Sequence, residues 1–399
     1  MALPPPNPGA SLGGEPTHDT FADTDAFADS DAIAESDALH ARVREVIAEH
    51  GSRGAPPLSE VDFDALALDL ARFQQRWVAP FGRLVHARGI DLERATSAQA
   101  IPAVPTDVFR LARVAAHPAS RDERTFRTSG TTSEARGEHA LRTTATCRAA
   151  AIAWGARLLF PDFDRVHRAI ALAPSSSSLP DSSLSFMIDV FADHLGATIT
   201  HHVDAQLRAI DLEGLARSCA VARDEGHPVL LFGTSFAFVW ALDEGGGLDL
   251  RLPFGSRAML TGGFKGKTRE VNEDELRRGL AARFDLRTSH VVGEYGMTEL
   301  SSQLYDARLE GGVRPEAYRA PPWVRVVAVD EVMLEPVPPG QEGIARIVDL
   351  ANVDSVVAVQ TADRVRITED GVLLFGRLPG ATPRGCSLTV EEMRASWGT

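Results

Sequence analysis

The chain has 399 residues, enough for a core that needs no covalent staples, and three cysteines are too few for a disulfide framework. It is 44% hydrophobic and 24% charged, with no apolar run long enough to cross a bilayer. The net charge is −14, which excludes a broad nucleic-acid footprint, and residues 1–40 hold eight acids and no Lys or Arg, so much of that charge sits in a tail.

The Pro-rich start Met1–Pro8 has neither a basic residue nor an apolar segment and is not a secretory signal; a cytoplasmic, reducing compartment is expected. From Phe21 a six-residue unit recurs: Phe-Ala-Asp-Thr-Asp-Ala, Phe-Ala-Asp-Ser-Asp-Ala, Ile-Ala-Glu-Ser-Asp-Ala. That period matches neither a helix nor a heptad, and one apolar residue per unit buries too little to offset ordering entropy, so 1–35 is predicted to be disordered. Order is predicted to begin at Ser36 as an N-cap, with Leu39, Val43, Val46 and Ile47 on one helical face and Gly51 as terminator. Phe63, Leu66, Leu70, Phe73 and Trp77 mark a second amphipathic helix.

Ile101-Pro102-Ala103-Val104-Pro105 cannot be helical throughout and marks a boundary. Beyond it, β-type runs (Arg168–Pro174, Val229–Gly233, Arg257–Gly262, His290–Gly293) alternate with helical stretches over 142–159, 205–225 and 272–284. Such alternation predicts an α/β sheet covered by helices on both faces. Short strand-like runs from Val324 onward (Val324–Val329, Ile344–Leu350, Val356–Gln360, Val372–Arg377) predict a β-rich end. The expected organisation is an acidic tail (1–40), a helical segment (41–125), an α/β core (126–323) and a β-rich subdomain (324–399).

Two motifs stand out. Thr128-Ser129-Gly130-Thr131-Thr132-Ser133 crowds hydroxyls around a glycine, which can cradle phosphate oxygens; alone it is equally a plain turn, and it lacks the Gly-Lys-Ser/Thr of a P-loop. Val292-Gly293-Glu294-Tyr295-Gly296-Met297-Thr298-Glu299 directly follows an apolar strand. Ligands of α/β sheets sit beyond the carboxyl ends of strands, so an aromatic, a hydroxyl and a carboxylate there suit a nucleotide and its metal; a solvated strand-to-helix turn is the plain alternative. The adjacent His201-His202 pair directs its rings apart and has no cysteine partners at zinc spacing, and no Gly-x-Ser-x-Gly elbow supports a hydrolase. Cys147 and Cys219 lie in helical patterns and are expected in the core.

Together, Thr128-Ser-Gly-Thr-Thr and Tyr295-Gly-Met-Thr-Glu resemble the phosphate loop and nucleotide/magnesium motif of the adenylate-forming superfamily; Asp363 in Gln360-Thr-Ala-Asp-Arg resembles its ribose-binding aspartate, and Gly376-Arg377 its hinge. Within that superfamily, Pro180-Asp-Ser-Ser-Leu-Ser-Phe-Met187, Leu231-Phe-Gly-Thr-Ser-Phe236, Gly262-Gly-Phe-Lys-Gly-Lys267, Gly293–Ser302 and Arg384-Gly-Cys-Ser-Leu388 resemble the LuxE-type acyl-protein synthetases over residues 55–395. The resemblance implies an adenylate-forming α/β core with a β-rich subdomain, and use of ATP and Mg2+ to activate a carboxylic acid, expected to be a fatty acid. It also implies transfer to a cysteine and delivery to an acyl reductase or other acceptor protein. By the same resemblance, Ser129, Gly130, Thr131, Thr132 and Ser133 would hold phosphates, with Arg136 near the β and γ phosphates. Gly263 and Tyr295 would form the adenine environment, with Gly262, Glu294 and Gly296 also binding the cofactor; Asp363 and Arg377 would serve the ribose and hinge, Thr298 an α-phosphate oxygen, and Glu299 the magnesium. Cys386 would accept the acyl group, and Phe186, Met187 and the 231–236 run would wall its pocket.

One departure bears on mechanism. The superfamily carries a mobile lid domain with a lysine after the hinge, whereas only 14 residues run from Cys386 to Thr399, none of them lysine, so the C-terminal lid is expected to be absent. Lys265 and Lys267 are the only lysines in the sequence; the first is the candidate replacement cation, and solvated loop lysines are the plain alternative. Two other functions remain open at this level, a carboxylate–CoA ligase and a non-catalytic acyl-binding subunit.

Overall fold

The computed structural model describes residues 30–128, 136–163, 166–206, 209–262 and 272–378, with Thr389 and Met393. Three helices lead, α1 (Ser30–His50), α2 (Glu60–Trp77) and α3 (Ala79–Ala87), followed by β1 (Val104–Pro105), α4 (Val108–Leu111) and the hairpin β2 (Arg124–Arg127) and β3 (Glu138–Leu141). The central part runs α5 (Ala145–Leu158), β4 (Arg168–Leu172), α6 (Ser183–Leu195), β5 (Thr198–His201), α7 (Leu212–Glu225), β6 (Leu230–Thr234), α8 (Ser235–Glu244), β7 (Arg257–Thr261), α9 (Glu273–Phe284) and β8 (Val291–Tyr295). Six strands complete it: β9 (Leu304–Asp306), β10 (Tyr318–Arg319), β11 (Val324–Val329), β12 (Glu342–Asp349), β13 (Ala358–Thr368) and β14 (Gly371–Arg377).

One mixed sheet joins the two halves in the order β11-β12-β13-β14-β10-β9-β8-β7-β6-β4-β5, with β1 added beside β13. From β5 to β8 the pairing is parallel; from β8 to β11 it is antiparallel. The parallel strands read as unbroken apolar runs because both faces are covered. Ala169, Ala171, Leu230, Phe232, Met259 and Val292 face one core with α5 and α6, while Ile170, Leu172, Leu231, Ala258, Leu260 and Val291 face a second with α7, α8 and α9. Local sequence sets the helix ends: Ser182, Asp211, Thr234 and Asn272 cap α6, α7, α8 and α9 through side-chain oxygens, and Gly196 and Gly226 close α6 and α7 in the left-handed region.

Several expectations shift. Helix α1 starts at Ser30, inside the second of the three acidic repeats and ahead of the predicted end of disorder, and Ser36 is not its cap: the Ser36 hydroxyl is buried and donates to Asp354 Oδ1 at 2.5 Å. A helix was read over 205–225, but α7 starts only at Leu212, where Asp211 supplies a better cap. Val104–Pro105 is not a boundary in space, since it pairs in parallel with Val359–Gln360. Proline is tolerated there because β1 lies off the main path of the sheet, where its missing N–H breaks no central ladder. No helix among the described residues is long and apolar enough to cross a membrane.

Candidate active site

The parallel strands β6, β7 and β8 end side by side at Thr234, Thr261 and Tyr295, so the candidate nucleotide motif opens at their carboxyl ends. Here Tyr295 Oη donates to Asp363 Oδ2 at 2.8 Å, joining residues 68 positions apart. Burial, reinforced by the Asp363 charge, pushes the Tyr295 phenol well above its usual range, so it remains a donor at neutral pH. Arg377 Nε lies 4.0 Å from Asp363 Oδ1 across the β13–β14 pair, and Asp363 N also bonds the Thr361 hydroxyl at 3.0 Å. Tyr295, Asp363 and Arg377 therefore converge.

Glu294, one step along the strand, points elsewhere. Its carboxyl is buried against the Thr261 hydroxyl, and desolvation pushes it up to about 7. Behind it, Gly293 N donates to Asp306 Oδ2 at 2.9 Å, and Asp306 pairs with the buried Arg277 at 2.8 Å. A side chain at Gly293 would strike Tyr318 Oη, 2.4 Å from an ideal Cβ, so only glycine admits this packing. Gly262 has φ +75°, and its carbonyl accepts from the Ser235 hydroxyl at 2.5 Å.

After β8 the chain turns through Gly296, exposed, Thr298, half-buried, and Glu299, buried. Three side chains that the sequence reading passed over grip this loop through its backbone. His139 Nδ1 bonds the Thr298 carbonyl at 2.8 Å. Asn352 Nδ2 donates to the Glu299 carbonyl and its Oδ1 accepts from Ser301 N, both at 2.9 Å. Asp349, completely buried, accepts from Ser301 N, Ser302 N, the Ser302 hydroxyl and Ala351 N at 2.8–3.1 Å; burial nonetheless raises its carboxyl to about 6. Gln74 of α2 then bonds the carbonyls of Asn352 and Val353 and the N–H of Val357. The one sequence signal of this grip was polar Asp349, Asn352 and Asp354 inside an otherwise apolar stretch.

Other residues take structural places. Arg136 is held by Asp181 at 2.7 Å and by the carbonyls of Arg127 and Thr128, at the neck of the β2–β3 pair. Leu231 and Phe232 lie in opposite cores, so of the 231–236 run only Thr234–Phe236 stand at the strand end; Phe236 meets Trp240 edge-on at 5.8 Å. Phe186 packs on Phe126 at 5.3 Å, and with Met187, Leu141, Cys147 and Leu300 they border a cavity of about 20 Å3. Cys147 and Cys219 are buried, and burial pushes both thiols up to about 12, which suits core residues. The His201 and His202 rings diverge, to Ala173 O at 3.0 Å and to Ser218 Oγ at 3.1 Å. Ser129, Gly130, Thr131, Thr132, Ser133, Gly263, Lys265, Lys267 and Cys386 lie outside the described residues.

Residues 90–393 match the family model described as acyl-protein synthetase, LuxE. The chain belongs to the LuxE acyl-protein synthetase family. Its fold is that of adenylate-forming ligases. The open conformation of 2-hydroxyisobutyryl-CoA ligase, in complex with 2-HIB-AMP and CoA, superposes with TM-score 0.58 at 15% identity, covering 80% of this chain and 71% of that one. The same ligase in its thioesterification state gives 0.58 at 15%, covering 87% and 69%, and in its postadenylation state with 2-HIB-AMP 0.56 at 17%, covering 81% and 69%. No curated protein sequence matches the chain significantly.

Magnesium takes one or two carboxylates and completes its shell with water and substrate phosphates, and the buried Glu299 carboxylate at the loop is a donor of that type. Among the described residues no group of three or more His, Cys, Asp or Glu is arranged around a metal, so Glu299 is the donor to consider.

Proposed function

We propose that this protein activates a carboxylic acid with ATP and passes the acyl group to a cysteine thiol. The convergence of Tyr295 and Arg377, at the ends of β8 and β14, on Asp363 of β13, in a chain of this family, carries the reading. The carboxylate oxygen attacks the α-phosphorus of ATP, forming the acyl-phosphate bond as pyrophosphate leaves. The Cys386 thiolate then attacks the acyl carbonyl, forming a thioester as AMP departs with the electron pair. Asp363 accepts from the ribose hydroxyls once Tyr295 shares or yields its oxygen, and the Tyr295 ring lies against the adenine. Thr298 donates to an α-phosphate oxygen. Bound at Glu299, magnesium would offset phosphate charge. Ser129, Gly130, Thr131, Thr132 and Ser133 hold the β and γ phosphates, and Lys265 supplies the compact cation that the transition state requires.

The acid is proposed to be a fatty acid, with Phe186, Met187 and Phe236 among its apolar contacts, and the acceptor downstream to be an acyl reductase or another acyl-acceptor protein. The test uses ATP and a labelled long-chain fatty acid. Hydroxylamine-sensitive label on the wild type and none on Cys386→Ala supports the reading. Label that persists in Cys386→Ala removes Cys386 as acceptor, and label appearing only on added coenzyme A makes the protein a CoA ligase.

A further inference from the structure

His139 is a side chain that neither the sequence motifs nor the proposed chemistry uses, yet it touches the centre of the site. It lies on β3, just past the neck of the hairpin, 1% exposed, with its ring edge-on to Phe109 at 6.0 Å. Its Nδ1 is 2.8 Å from the Thr298 carbonyl. A carbonyl only accepts, so Nδ1 must carry the proton. Burial pulls the imidazole down to about 4, against the raising effect of the Thr298 bond, so at neutral pH the ring is uncharged and Nε2 is a bare acceptor. Nε2 has no partner among the described residues, and the ring borders the two cavities that separate the β2–β3 hairpin from the loop after Glu299.

We propose that His139 is a positioning residue for adenylation: through Nδ1–H it fixes the Thr298 carbonyl and so ties strand β3 to the Thr298–Glu299 loop. The placement of Thr298 then depends on a hydrogen bond between two elements 159 residues apart. Asn352 and Asp349 hold the far end of that loop, at Glu299, Ser301 and Ser302. His139 alone among the three grips the residue assigned to the α-phosphate. A small misplacement there costs rate more than affinity, because ground-state ATP is held by many other contacts.

This inference rests on the adenylation reading, and two measurements keep their failures apart. Hydrogen exchange of the peptide over 296–303 needs no substrate. His139→Ala should speed it about tenfold or more, and His139→Asn, whose amide N–H replaces Nδ1–H, should restore it. In acid-dependent ATP–pyrophosphate exchange, His139→Ala should lower kcat about a hundredfold while the KM for ATP moves less than about threefold, again with recovery in His139→Asn. Unchanged exchange at 296–303 in His139→Ala, or rescue by His139→Gln in place of His139→Asn, overturns the positioning role. A loop that loosens and is restored as described, in a protein whose wild type gives no pyrophosphate exchange with any acid, upholds the tether and overturns the adenylation reading instead.

Discussion

The two sides of the candidate site are built differently. On the proposed nucleotide side, Tyr295 at the end of β8 and Arg377 at the end of β14 meet Asp363 of β13 through their side chains, partly exposed. On the side beneath, His139, Asp349, Asn352 and Gln74 reach backbone atoms from within the core. The first side depends on residue identity at the contacted positions; the second holds a loop mainly through its backbone, with the Ser302 hydroxyl as the side chain it also engages. Substitutions on the first should therefore change binding and chemistry with little effect on folding, and on the second should change stability as well.

The sharpest break is Glu299→Ala, which should lower acid-dependent pyrophosphate exchange about a thousandfold through loss of the carboxylate proposed to bear magnesium. From the core side, Asp349→Ala leaves buried N–H groups of Ser302 and Ala351 without their acceptor. Denaturant unfolding should show a loss of about 3–4 kcal/mol. Glu294 gives a pH-dependent version of the same contrast. Its folded-state carboxyl is raised to about 7, so the stability it permits is full below the ordinary carboxylate range near 4.5 and is lost as pH rises through 7. Glu294→Gln should be nearly neutral at pH 4.5 and stabilising by about 3 kcal/mol at pH 8 in paired unfolding curves.

Smaller effects belong to the nucleotide side. Asp363→Asn should raise the KM for ATP about thirtyfold, with an unfolding midpoint close to wild type. Tyr295→Phe removes one hydrogen bond while keeping the ring, and should change that KM about fivefold or less. A large loss of stability in either variant would erase the distinction between the two sides.

That distinction also explains what the sequence could reveal. The strands β4, β6, β7 and β8 were legible because parallel strands covered on both faces read as continuous apolar runs, and Tyr295, Asp363 and Arg377 could be singled out because each lies in a short motif, although their meeting in space could not be read from it. Ser36 misled because a serine ahead of an apolar face has the pattern of an N-cap, whereas its hydroxyl is taken by Asp354, 318 residues away. His139 gave no local signal, since its partner is a carbonyl group that every residue carries, and Asp349 gave only that of a polar residue in an apolar stretch. Short β5 and β10 were missed for want of any periodicity in so few residues.

The most direct test of the central claim follows oxygen. When the protein turns over ATP with an oxygen-18-labelled carboxylic acid, attack of the carboxylate on the α-phosphorus predicts one labelled oxygen in the AMP released after acyl transfer, and none in pyrophosphate. Label in inorganic phosphate with ADP as the nucleotide product, or AMP without label, would contradict it.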